Sequence, residues 1–102
     1  MDADIVDLAE KLVSFSERWS PRTVAQLNDY EIKVVKIEGE FVWHAHEHTD
    51  ELFLVLSGHL TIQFRDRDLT VGPGQLVVVP SGVIPAIYAT LVRLCTVPSN
   101  IA

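Results

Sequence analysis

The chain has 102 residues, 48% of them hydrophobic, with 14 acidic against 8 basic side chains and a formal net charge of -6. A chain of this length buries one core with little surplus stability. Its composition is that of a folded domain, not of a disordered or low-complexity segment. The acidic balance and the scattered Lys and Arg argue against nucleic acid as a partner, and no apolar run approaches the roughly 18 residues of a membrane span. The N-terminus carries acids where a secretory signal has basic residues, and the single cysteine, Cys95, cannot form an intramolecular disulfide. Together these features predict a soluble cytoplasmic protein.

The first element is a predicted helix over residues 2–14. Ile5, Leu8, Ala9, Leu12 and Val13 fall on one face, and Asp2 or Asp4 is placed to cap it. Its polar face offers chiefly Asp and Glu, so it reads as a lid or a dimer contact, not as a membrane-surface helix. Residues 15–22 form a connector broken at Ser20-Pro21.

From Thr23 onward the pattern becomes short strands with punctuation. Strands are predicted at Thr23–Leu27, Tyr30–Ile37, Phe41–His46, Glu51–Leu56 and around Leu60–Phe64. Further strands are expected at Leu69–Val71, Gln75–Val79, Ile84–Tyr88 and Leu91–Val97. Turns are expected at Asn28-Asp29, Glu38-Gly39, Ser57-Gly58, the charged run 65–68, Gly72-Pro73-Gly74 and Pro80-Ser81-Gly82. About eight or nine short strands at this spacing define an all-β antiparallel sandwich or barrel. The organisation is an N-terminal helix and connector over 1–22 and a β-barrel over 23–102. In the strand from Glu51, alternation turns Glu51, Phe53 and Val55 inward and Leu52, Leu54 and Leu56 outward. An outer row of three Leu calls for cover, by a second subunit or by the N-terminal helix.

The chemistry gathers between Gly39 and Gly58. His44 and His46 are two apart, so on a strand both imidazoles share a face. Glu51 opens the next strand and can meet them across the loop. Two imidazoles and a carboxylate suit a divalent first-row metal and leave coordination positions open. His48 is a possible alternate ligand, although a solvated loop position is the plainer reading. His59 is expected at the surface, on the face opposite Leu60. Glu47 and Asp50 beside the cluster raise the pKa of nearby imidazoles, so protons should compete with metal below about pH 6–6.5.

These residues carry a resemblance. Gly39, His44, His46, Glu51 and Gly58 resemble the first motif of the cupin superfamily, G-x5-H-x-H-x(3,4)-E-x6-G, with four residues in place of five in the first gap. Gly74, Pro80 and Gly82 match the second motif, G-x5-P-x-G-x2-H-x3-N. Its His position is occupied by Pro85 and its Asn position by Ala89. The chain is similar to small single-domain cupins over roughly Tyr30 to Val97. The resemblance implies a cupin-type β-barrel, or double-stranded β-helix (jelly roll), with one N-terminal α-helix. It implies metal ligation by His44, His46 and Glu51, with iron, manganese, nickel or zinc as the divalent metal, and a small organic ligand or substrate in the barrel. Proline supplies no donor, so the fourth ligand of the family's usual set does not carry over. The alternative is a metal-free small-molecule-binding or structural dimeric cupin whose metal site was lost with Pro85. Whether the chain is an enzyme is left open by the sequence.

The other candidates read as scaffold. Cys95 lies in an apolar strand and reads as a buried, inert thiol. Trp43 should point away from His44, toward core or interface. Tyr88 should face away from the position that Pro85 occupies. Phe41, Phe53, Phe64 and Val77–Val79 are expected in the core, and Arg65 and Arg67 in a solvated turn with Asp66 and Asp68.

Overall fold

The computed structural model describes residues 3–42, 50–82 and 86–97. Among the described residues, a single short helix, α1 (Leu8–Val13), precedes six strands: β1 (Arg22–Leu27), β2 (Tyr30–Val42), β3 (Glu51–Gln63), β4 (Asp68–Val71), β5 (Leu76–Val79) and β6 (Ala86–Val97). All pairings are antiparallel, in the order β1-β2-β6-β3-β4, with β5 also paired to β3.

The helix is shorter than its apolar pattern predicts. Asp7, not Asp2 or Asp4, is the N-cap, and its carboxylate accepts a hydrogen bond from the Glu10 amide at 3.2 Å. That cap starts the helix at Leu8 and leaves Ile5 99% exposed. Val13 is also exposed, because the packed face is Leu8 and Leu12 together with Phe15 just beyond the helix. These side chains, with Val24, Val34 and Leu56, form a small second core on the outer side of the sheet.

Three long strands replace the larger number of short ones expected. Glu38-Gly39 and Ser57-Gly58 are not turns; they are irregularities inside the continuous strands β2 and β3. The two glycines hold φ of 95° and 82°, a region open to glycine at little cost. Likewise residues 86–97 form one strand, not two. Asn28-Asp29 does close the β1–β2 hairpin, with Asn28 at φ 54°.

The bulges have a geometric consequence. Phe53 and Val55 face the core in the first half of β3, and Leu60 and Ile62 do so in the second, so the inward parity changes across Ser57-Gly58. In β6 the inward set changes from Ile87 and Ala89 to Val92 and Leu94. A bulge that shifts phase while bending the strand lets both halves bury their apolar side chains in one core. One buried cluster contains residues from both halves of β3 and β6 and from the first half of β2, including Val35, Phe53, Ile62, Ile87 and Leu94. The sheet therefore doubles over on itself as a small antiparallel barrel.

The Gln75–Val79 strand, with Val77–Val79, is expected in the core, but β5 is an edge strand. Val79 is 2% exposed, whereas Leu76 and Val78 are 58% and 48% exposed on the outer side. Phe41 also departs from the expected core. It is 40% exposed and stacks on Trp19, with ring centroids 4.6 Å apart. Phe53 is fully buried, and Phe64 and Val77 pack partly buried against the core.

Candidate metal centre

β3 starts at Glu51 beside the Thr96–Val97 end of β6, which places Glu51 at one end of the barrel strands. Glu51 and Thr96 end one half, and Gln63 and Ala86 end the other. Residues 80–85 link Val79, the register partner of Glu51, to Ala86, the partner of Gln63. Glu40, Phe41, Gln63, Ala86 and Ile87 line a cleft at the Gln63–Ala86 end of the strands.

Glu51 faces inward, as the alternation from Glu51 to Leu56 predicts, and is 4% exposed. The Thr96 hydroxyl, itself buried, donates to a Glu51 carboxylate oxygen at 3.1 Å. Thr96 pairs with Phe53 on one side and Lys33 on the other, so it stands in the same inner row. Lys33 is ion-paired with Glu31 at 3.6 Å. Thr96 was not singled out from the sequence. Its signal was available in the apolar strand L-V-R-L-C-T-V, where a hydroxyl facing a barrel interior needs a partner.

His44, His46 and His48, together with Trp43, Glu47 and Pro85, lie outside the described residues. Among the described residues, no group of three His, Cys, Asp or Glu side chains is placed to hold a metal. Glu51 fits a divalent metal as a hard oxygen donor held in position by a hydrogen bond, the arrangement that orients ligating carboxylates. Asp50, next in the chain, instead accepts a hydrogen bond from the Ser81 amide at 2.9 Å and tethers the 80–82 turn.

His59 is exposed while Leu60 is fully buried, as expected. Tyr88 is on the outer face, 45% exposed and paired with Thr61 and Glu40. Ala89, at the Asn position of the second motif, is buried in the core between Gly39 and Leu60 in register. Cys95 is buried, and desolvation raises its thiol pKa above the ordinary 9.0. No described helix is long and apolar enough to cross a membrane.

The bent antiparallel strands, the inward carboxylate at one end of the strands and the bulge glycines define a small double-stranded β-helix barrel. The cupin domain model matches residues 32–86. A crystal structure of a cupin-2 domain containing protein from Shewanella frigidimarina superposes with a TM-score of 0.90 at 40% identity, over 94% of this chain and 95% of that one. The uncharacterized protein YdbB of Bacillus subtilis is 32% identical over 92 residues, 87% of this chain and 75% of YdbB. Protein NMB1881 from Neisseria meningitidis shares the fold, with a TM-score of 0.84 at 22% identity over 95% of this chain and 100% of that one. The chain belongs to the cupin family.

Proposed function

We propose that this cupin binds a divalent first-row metal through His44, His46 and Glu51, with a small organic ligand at the barrel mouth. The observation that carries the reading is Glu51. It is a buried carboxylate on the inner face at one end of the barrel strands, fixed by Thr96, at the Glu position of the first cupin motif. A bound metal would act as a Lewis acid toward a ligand oxygen or lower the pKa of a bound water. Thr96 would hold the carboxylate in its ligating orientation.

The test is the metal content of untagged protein purified without chelator, beside Glu51→Gln and His44→Ala/His46→Ala. Near-stoichiometric metal in the wild type alone is expected. Trace metal in all three, persisting after refilling, would overturn the reading.

A metal-free ligand-binding barrel is the second reading, favoured by the apolar inner wall of Ile87 and Ala89 where the family motif carries Asn. It predicts thermal stabilisation by an apolar or sugar-like ligand in the presence of chelator.

The outer face supports a homodimer. Leu56 is covered by α1, but Leu52 and Leu54 are half-buried and flanked in register by the exposed Val78 and Leu76. An apolar strip of this kind suits a self-complementary interface. Sedimentation at micromolar concentration should give a dimer that Leu76→Glu converts to monomer. A wild-type monomer under the same conditions would remove the dimer.

A further inference from the structure

We infer that the outer face beside the connector is a binding site for a small oxyanion, a phosphate or carboxylate group, held by Lys36 and Arg93 with Arg18 and Ser57 at its rim. This inference does not rest on the metal reading, since these side chains lie on the side of the sheet opposite the barrel interior.

The placement follows from register. Val35, Ile37, Val92 and Leu94 face the core, so Lys36 and Arg93 between them face outward, and the two are direct partners across β2 and β6. Cross-strand partners bring their Cβ atoms to about 4.5–5.5 Å, and like charges so placed repel. On its other side Arg93 is opposite Ser57 of β3. The Ser57 hydroxyl oxygen is shielded from solvent and has no hydrogen-bond partner among the described residues.

Lys36 is 7% exposed. Its ammonium donates to the Phe15 carbonyl and lies 4.9 Å from the centroid of the Phe15 ring, while the Arg22 guanidinium sits 4.5 Å from the same centroid. Burial holds the Lys36 ammonium below the ordinary lysine range, and the nearby Arg93 and Arg18 charges lower it further. Four of the chain's eight Lys and Arg therefore gather here: Arg18, Arg22, Lys36 and Arg93. Glu17 is the acid that acts on Lys36, and its carboxylate is already bonded to Arg22 at 2.9 Å. Neither Lys36 nor Arg93 has a carboxylate within ion-pair distance among the described residues.

A chain of net charge -6 thus sets four cations against one nearby carboxylate, Glu17, on one partly buried spot. Repulsion between Lys36 and Arg93 opposes that arrangement. An oxyanion there relieves the repulsion, takes charge-assisted hydrogen bonds from the guanidinium, and can accept a bond from Ser57.

The experiment titrates the full untagged chain with sodium phosphate and, separately, sodium acetate, at ionic strength matched with chloride, by calorimetry. Saturable one-to-one binding is expected. It should weaken at least tenfold in Arg93→Gln and severalfold in Ser57→Ala, and stay unchanged in Arg65→Gln on the distant turn. Binding of phosphate alone, or of acetate alone, names which oxyanion the site takes. Absence of saturable binding by both anions overturns the inference, as does equal affinity in wild type and Arg93→Gln. If Arg93→Gln does not fold, Ser57→Ala supplies the same comparison. Parallel sedimentation covers one further outcome. If phosphate binds only by dissociating a dimer, the cluster belongs to an acidic side chain of a second copy, and the free-anion site is wrong.

Discussion

Replacing Gly58 with alanine should be far more damaging than replacing Gly39, although both hold positive φ, 82° and 95°. A left-handed backbone conformation costs an L-residue about 1–2 kcal/mol, and both variants incur that. The surroundings differ. A Cβ on Gly58 would stand 2.5 Å from the Leu91 carbonyl oxygen, 2.9 Å from the Val92 Cα and 3.1 Å from the Thr90 carbonyl oxygen. All three atoms are backbone of β6 at its own bend, so no side chain can swing aside. Forcing that strand outward adds an overpacking cost of about 1–3 kcal/mol. A Cβ on Gly39 meets nothing within 4 Å among the described residues. The expected losses are therefore about 1–2 kcal/mol for Gly39→Ala and about 2–5 kcal/mol for Gly58→Ala. A domain of this size has a total stability of about 5–15 kcal/mol, so the second variant loses a large share of it. Urea unfolding of the two variants and wild type, with the slope checked for constancy, measures the difference. Losses equal within about 0.5 kcal/mol would refute the idea that the β3 and β6 bends are pressed together at Gly58.

Phe53→Ala should cost about 3–5 kcal/mol, the usual penalty for emptying a fully buried aromatic site, read from the same urea curves. Thr96→Val removes the donor to Glu51 and should cost about 1–2 kcal/mol; in the metal reading it also lowers metal occupancy, which elemental analysis would detect. Burial raises the Cys95 pKa, so above pH 9 the folded state retains a proton that the unfolded state loses. Stability should therefore fall as pH rises through that window, and Cys95→Ala should flatten the decline. For Lys36 the shift is downward, so just below the ordinary value of 10.5 the unfolded state binds the extra proton and stability gained with rising pH should be lost in Lys36→Met.

Much of the barrel was legible because strand alternation is a local property. The inward set Glu51, Phe53 and Val55 follows from period two alone and is the set the structure buries. The count of strands was not legible. Glycine after a polar residue signals a turn and a bulge equally well, and only pairing with β6 decides between them at Gly39 and Gly58. The helix was overextended because apolar spacing says nothing about where a cap competes; Asp7 won over Asp2 and Asp4. In the candidate site, Glu51 could be read from its motif. Thr96 offered only the general signal of a hydroxyl in an apolar strand; its partner, 45 positions away, depends on the fold. The cationic cluster was invisible for the same reason: Arg18, Lys36 and Arg93 look scattered until β2 and β6 are placed side by side.

The position of β6 also bears on how the chain acquires its shape. It is the last of the described strands in sequence, yet it lies between β2 and β3, hydrogen-bonded to both along nearly their whole length. During synthesis from the N-terminus, the facing edges of β2 and β3 have no partner until residues 86–97 have left the ribosome. The chain can form the β1–β2 hairpin early, but barrel closure has to wait for β6. Nascent chains stalled before that point should thus expose two long sheet edges and a bare apolar interior, the features that recruit holding chaperones and invite misassociation.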